Sequence, residues 1–307
     1  MSDGPRVVLL TGGTGGAKLA AGIARAIDPR ALTALVNTGD DIEIYGAHVS
    51  PDPDLVAFWL AERIDERGWG IREDTFAVMD ELRELGVDVW FNLGDRDLAW
   101  CIERARMIAA GQTPTAALAR LTGSIGIRSS VLPMCDEPVR TQVKIAGLGW
   151  LPFQEFMIRE RAAGTVEDVA FEGAEHARLS NPVGEAIAGA DAIIVGPSNP
   201  IASIGPILAV PGMREALADA SAPVVAVSPI VGGEVLKGPT ATFMAWAGQP
   251  ATSAGVAEHY GALLDGLVSD RPVDGLATHV CEVLMADADG RASLAREAIG
   301  FAGSLRG

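Results

Sequence analysis

The chain is short of cysteine, histidine, positive charge and uninterrupted apolar sequence, and each shortage excludes something. Cys101, Cys135 and Cys281 lie far apart in 307 residues, with no C-x-x-C pair. A disulfide framework and a zinc knuckle are therefore not expected, and a reducing, cytoplasmic setting fits. Only His48 of the four histidines falls in the N-terminal half, and one imidazole without a partner is weak evidence for catalysis. Twenty-four Lys and Arg face 40 Asp and Glu, a net charge of −16. No basic face is expected for nucleic acid or for an anionic membrane. Any phosphorylated substrate must then be met by local donors, a few Lys or Arg, or a metal ion. Residues 192–213 are uncharged and long enough to span a bilayer. However, Pro197, Pro200, Pro206, Pro211 and Asn199 interrupt them, so strand, loop and short helix are expected. Residues 1–5 run straight into an apolar strand, and no signal peptide is expected. Internal repeats, coiled coil and low-complexity tails are also missing.

What is present is an α/β rhythm organised around its first turn. Val7-Val8-Leu9-Leu10 reads as a buried parallel strand. Gly12, Gly13, Gly15 and Gly16 follow around Thr14, and residues 17–27 read as an amphipathic helix. Glycines let backbone N–H groups approach an anion, and the helix N-terminus adds unpaired donors, so this turn is a candidate phosphate loop that includes Lys18. It is neither a P-loop, because Leu19 follows Lys18, nor a G-x-G-x-x-G turn.

Further polar turns follow apolar runs. Residues 32–36 read as a strand ending in Asn37-Thr38-Gly39-Asp40-Asp41. The two carboxylates would hold Mg2+ or a hydroxyl, or make a solvated turn. Asp54 stands before residues 55–64, either as a helix cap or as a carboxylate held rigidly by Pro51 and Pro53. Residues 73–85 read as a helix and 87–91 as a strand ending in Asn92-Leu93-Gly94-Asp95-Arg96-Asp97. That turn is an ion-pair cluster, or it offers a carboxylate for a hydroxyl or metal and Arg96 for phosphate. Residues 98–110 and 115–121 complete a helical layer.

From residue 128 to about 180 the texture changes to short strands at 131–134, 139–146 and 153–158, expected as an inserted β-rich cover. Arg140 and Lys144 share one strand face. Trp150, Phe153 and Phe156 pack the cover or line a pocket. The α/β rhythm resumes with a helix at 182–190 and strands at 192–195 and 224–227. Those strands end in Gly196-Pro197-Ser198-Asn199-Pro200 and Ser228-Pro229, with Lys237 and Thr240 beyond. Small polar turns after successive strands suggest a shared crevice along one edge of a sheet. The fold expected is a three-layer, Rossmann-like parallel sheet, residues 1–127 and 181–307, with the cover at 128–180.

Taken in register, ten segments resemble the CofD/FbiA family, which makes the precursor of the deazaflavin coenzyme F-420. They are Thr11 to Lys18, Val36 to Asp41, Val49 to Asp54, Trp69-Gly-Ile71 with Asp74-Thr-Phe76, Leu93 to Asp97, Leu132-Pro-Met134, Phe153-Gln154, Gly196 to Pro200, Ser203 to Pro206 and Val227 to Ile230. The resemblance implies transfer of a phosphorylated three-carbon acid from a guanosine diphosphate-type donor to the ribityl hydroxyl of 7,8-didemethyl-8-hydroxy-5-deazariboflavin (FO), releasing GMP. The acid would be 2-phospho-L-lactate, enolpyruvyl phosphate or 3-phosphoglycerate, the cofactor Mg2+, and the assembly a homodimer. It places FO against Asp54 and Asn92, where the family often has a basic residue. Donor phosphates would meet Gly12, Gly13, Thr14, Gly15, Gly16 and Lys18, with Ser198, Asn199 and Ser228 lining the nucleotide crevice. Asp40, Asp41 and Asp54 would hold the metal, and Asp54, Asp41 and Arg96 would serve catalysis, with Asp54 the first choice of general base. Two other readings are weighed. YvcK-like regulators bind nucleotide sugars, but carry a longer Gly/Ser run after the double Asp. A nicotinamide dehydrogenase would want an acidic residue after strand two, where Asn37 stands.

Overall fold

The computed structural model describes residues 4–236 and 238–306; Lys237 lies outside the described residues. Strand β1 (Val7–Thr11) leads through the glycine turn into α1 (Gly13–Ala26), and β2 (Leu32–Val36) follows. The chain then leaves the sheet. It makes a hairpin of β3 (Ile42–Ile44) and β4 (Ala47–Val49), then α2 (Pro51–Leu60), α3 (Ala77–Glu84), α4 (Asp95–Ala109) and α5 (Pro114–Ser124). It returns as β5 (Ser130–Pro133) and leaves again for β6 (Arg140–Ile145), β7 (Gly149–Pro152), α6 (Phe153–Ile158) and β8 (Val166–Glu172). Then come α7 (Asn181–Ala188), β9 (Ala192–Val195), α8 (Gly205–Ala209), α9 (Met213–Ala218) and β10 (Val224–Val227). A two-stranded hairpin of β11 (Ile230–Val231) and β12 (Glu234–Val235) precedes α10 (Thr240–Trp246) and α11 (Ser253–Tyr260). The last elements are β13 (Gly266–Ser269), β14 (Thr278–Val280) and α12 (Ala288–Ser304).

Seven strands form one all-parallel sheet in the order β14-β13-β10-β9-β1-β2-β5. The chain walks outward from β1 through β2 to β5, then restarts at β9 on the other side of β1. The direction of winding therefore reverses between β1 and β9, and open α/β sheets bind ligands outside the carboxyl ends of their strands at such a switch point. The expected three-layer Rossmann-like sheet is what the chain builds, and its switch point places the glycine turn against the Gly196–Pro200 turn.

Alternation along the strands divides the core. Val8, Leu10, Leu35, Ile193 and Val195 face one layer, into which the antiparallel sheet β7-β6-β8 sends Val143, Ile145 and Val166. Val7, Leu9, Ala34, Val36 and Ile194 face α1, α2 and α12. The outer lobe between β2 and β5 has cores of its own, around Met79, Phe91, Leu98 and Cys101, and around Phe58, Trp100, Met107 and Leu121.

Four expectations change. Residues 130–133 pair with β2 in the central sheet, so the β-rich excursion begins after Pro133 and not at 128. Residues 153–158 are helix α6, closed by an Arg159 N–H to Glu155 carbonyl bond, although the burial of Gln154 and Phe156 alternates as in a strand. Residues 87–91 form no strand; Phe91 is buried against the outer lobe instead. Residues 42–124 join the central core only through α2 and α5, whose Val56 and Leu118 pack into it, and otherwise fold on two clusters of their own. Among the described residues, no helix is long and apolar enough to cross a membrane.

Candidate functional site

The glycine turn is built by close approach. Gly13 has a φ of +64°, in the left-handed region open to glycine. A Cβ on Gly15 would lie 2.2 Å from the Pro197 carbonyl oxygen, so only glycine lets the two switch-point turns meet. Ser198 locks them together: its Oγ donates to the Gly12 carbonyl at 2.7 Å and accepts from the Gly12 N–H at 3.2 Å. Asn199 shapes its own turn, accepting from the Ile201 and Ala202 N–H groups. Ser228 is buried, paired with Ser253 at 2.8 Å. The first turn of α1 leaves the Thr14 and Gly15 N–H groups without intrahelical acceptors.

One donor of that turn is already taken. The Gly13 N–H donates to Asp52 Oδ1 at 2.7 Å. The other oxygen of Asp52 accepts from Asn37 Nδ2 at 2.9 Å, and the same amide nitrogen donates to Asp40. Burial pushes the Asp40 carboxyl well above its usual range, and the charges of Asp52 and Asp41 add to it. Burial likewise raises Asp52 to about 6, against the hydrogen bonds from Asn37 and Gly13. Two buried carboxylates thus share one neutral amide. Gln154 of α6 approaches the second Asp40 oxygen at 3.5 Å.

Asp41 points elsewhere. It accepts from Ser50 Oγ at 2.7 Å and faces His48 Nε2 at 3.0 Å. His48 Nδ1 faces Glu43 at 3.2 Å, and Glu43 pairs with Arg140 of the cover at 2.7 Å. Burial lowers the His48 pKa, but the hydrogen bonds to Asp41 and Glu43 outweigh it and raise it to about 9.

Asp54 lies in a third cluster. Helix α2 begins at Pro51, so Asp54 is inside its first turn and not its cap. Arg104 of α4 donates to both Asp54 oxygens, and Trp100 Nε1 donates at 2.7 Å. Cys101 Sγ lies 3.8 Å from Asp54 and 3.9 Å from Asp97. With both oxygens engaged by a guanidinium, Asp54 is not placed to act as a general base. Nor does it join Asp40 and Asp41. Among the described residues, the acidic set whose ligand atoms lie within 4.8 Å is Asp54, Asp97 and Cys101, where Arg104 already supplies the positive charge.

Three further candidates make contacts of their own. The Lys18 ammonium lies 6.0 Å from the Trp59 ring. Trp59 is seven residues beyond Asp52 on α2, about 10 Å along the helix from the glycine turn. Arg96 is exposed in an outer groove of about 700 Å³, with Arg63, Arg72 and Trp100. Asn92 accepts from Arg83 at 2.8 Å. Sequence reasoning missed Asp52, Asn37 and Arg104. The S-P-D-P-D spacing was a signal for Asp52, while nothing local marks Arg104.

Comparison with known proteins agrees with this geometry. The family model described as 2-phospho-L-lactate transferase CofD matches residues 7–285. The phosphoenolpyruvate transferase of Streptomyces coelicolor is 42% identical, over 98% of this chain and 99% of that protein. The 2-phospho-L-lactate transferases of Methanosarcina mazei and Methanocaldococcus jannaschii are 40% and 36% identical, over 86% and 97% of this chain and 86% and 99% of theirs. A UPF0052 family protein from Bacillus halodurans superposes with a TM-score of 0.64 at 18% identity, over 95% of this chain and 97% of its own, which shows a shared fold. The chain therefore belongs to the CofD family of transferases.

Proposed function

We propose that this protein transfers a phosphorylated three-carbon acid from a guanosine diphosphate-type donor to the ribityl hydroxyl of FO, in coenzyme F-420 biosynthesis. The observation that carries the reading is the switch-point crevice. It joins a helix N-terminus, a glycine turn locked by Ser198, and a buried carboxylate pair bridged by Asn37, in a chain with full-length transferase relatives. In the reaction the hydroxyl oxygen bonds to the phosphorus next to the acid, the phosphoanhydride bond breaks, the hydroxyl proton leaves and GMP departs. Such transfers depend on positioning and on neutralising charge at the phosphoryl oxygens. The Thr14 and Gly15 N–H groups are the donors for the diphosphate, and Asp54 belongs to the acceptor side.

Mg2+ fits the residues. Asp40 and Asp52 are hard oxygen donors whose carboxyl pKa values are raised by burial first and then by like charge, from Asp52 and Asp41 on Asp40 and from Asp41 on Asp52, a strain that a divalent cation relieves. They would hold it, and it would supply charge neutralisation for the diphosphate. Full-length relatives at 40–42% identity bear the name phosphoenolpyruvate transferase, which supports the enolpyruvyl donor among the three acids. Three free thiols support a reducing, cytosolic setting, and a homodimer is the expected assembly, measurable by sedimentation.

The test is GMP release from each of the three donors in the presence of FO and Mg2+. FO-dependent release from the enolpyruvyl donor is expected. Release that ignores FO, or none from any donor, contradicts the reading.

A further inference from the structure

We propose that Arg104 is the positioning residue of the acceptor side: one buried guanidinium on α4 fixes Asp54 and, through the His48 segment, the orientation of Asp41. The inference rests on the acceptor-side role of Asp54 proposed above.

Only 3% of the Arg104 side chain is exposed. A guanidinium taken out of water at this depth survives only with well-placed partners. Arg104 has them on two different elements. Nη2 donates to Asp54 Oδ1, and Nη1 donates to Asp54 Oδ2 at 3.0 Å. Nη1 also donates to the His48 backbone carbonyl at 3.0 Å. One side chain therefore ties α2 to β4 from the far side of the outer lobe. His48 is also the residue whose imidazole meets Asp41 at 3.0 Å. Holding its backbone fixes where that imidazole sits, and so which oxygen of Asp41 is engaged. Trp100, one helical turn before Arg104, adds the third N–H to Asp54. Burial opposes the charge on Arg104, but Asp54 outweighs it and keeps the guanidinium protonated.

The geometry asks for an arginine specifically. Two parallel donors on one carboxylate and a further contact on a carbonyl need a planar fork; an ammonium offers a point charge. A purely structural role, offsetting the Asp54 charge, would be met almost as well by lysine. The two roles therefore separate on a substitution that keeps the charge and removes the fork.

The experiment compares R104K, D54N and the double variant D54N/R104M with the full-length parent protein, by steady-state kinetics with FO and donor, GDP affinity and thermal melting. If Arg104 positions Asp54, R104K lowers kcat/KM for FO by about 10²-fold while the KM for donor and the GDP affinity stay within about twofold. D54N/R104M, which removes both members of the buried ion pair, folds and binds GDP, yet has lost FO turnover as D54N has. Parent-like FO kinetics in R104K, or in a folded D54N/R104M variant, beside a defective D54N would overturn the positioning role and leave Asp54 in place. Parent-like kinetics in D54N itself would instead remove Asp54 from the acceptor side.

Discussion

Two buried carboxylate clusters lie at either end of the Asp52–Asp54 segment, and they are held in opposite ways. At the switch point Asp40 and Asp52 share the amide of Asn37, a neutral group that orients both oxygens and cancels neither charge. Beneath the outer lobe Asp54 has a guanidinium of its own. In the first cluster burial, with like charge nearby, lets the carboxyls hold protons into a higher pH range. The second is complete as folded. The family resemblance grouped Asp40, Asp41 and Asp54 as one metal set; the structure holds Asp54 in a cluster of its own with Arg104 and Trp100. On the proposed function, cation and anhydride act at the central-sheet cluster, while the outer-lobe cluster holds its carboxylate without them.

The comparison breaks first at the glycine turn. Gly15→Val places a methyl-bearing Cβ 2.2 Å from the Pro197 carbonyl oxygen; GDP binding measured by calorimetry should be lost, and normal binding would remove the phosphate-loop reading. Next in size, Arg104→Met strands the Asp54 charge and should cost about 3–5 kcal/mol in denaturant unfolding, whereas metal chelators should not change that loss. A smaller effect is expected from His48. Its folded pKa near 9 is raised above the unfolded value, so its stabilisation is full below about pH 6.5 and lost as pH rises through 9. The ceiling of that loss is on the order of 3 kcal/mol, and His48→Gln should flatten this limb of the pH–stability curve. The smallest effect separates the clusters most cleanly. Asp52 is raised to about 6. The folded state therefore holds its proton more tightly than the unfolded one, and the metal-free protein loses stability as pH climbs from about 4 to 6. The shift alone is worth on the order of 3 kcal/mol, part of which is offset by weakening the bonds Asp52 accepts from Gly13 and Asn37, so Asp52→Asn should remove that fall with a net gain of ~1–2 kcal/mol at pH 7 without Mg2+, and should weaken the stabilisation that Mg2+ gives the parent.

The parts legible in the sequence were those with local causes. The run Val7 to Thr11 and the glycines after it announced a strand, a turn and a helix. The repeated polar turns after residues 36, 195 and 227 announced a crevice, because strand ends and turn chemistry are written in neighbouring residues. Pairings across the fold were not. Arg104 looks like any helical arginine until α4 is laid against α2, and its partner stands 50 positions away. Lys18 and Arg96 carried the right charge in the right segments, yet helix phase turned one toward Trp59 and the other outward. Residues 87–91 had a strand's composition, but no strand edge was there to receive them, so the run packs on α3 and α4 instead.

The central claim is that acceptor and nucleotide meet in one cation-completed crevice. Titrating the protein with FO, followed by deazaflavin fluorescence, with and without GDP and Mg2+, tests it most directly. The account predicts that GDP strengthens FO binding, that Mg2+ increases the effect, and that Asp52→Asn abolishes the Mg2+ contribution. FO binding that is absent, beside tight binding of a nucleotide sugar, would contradict it.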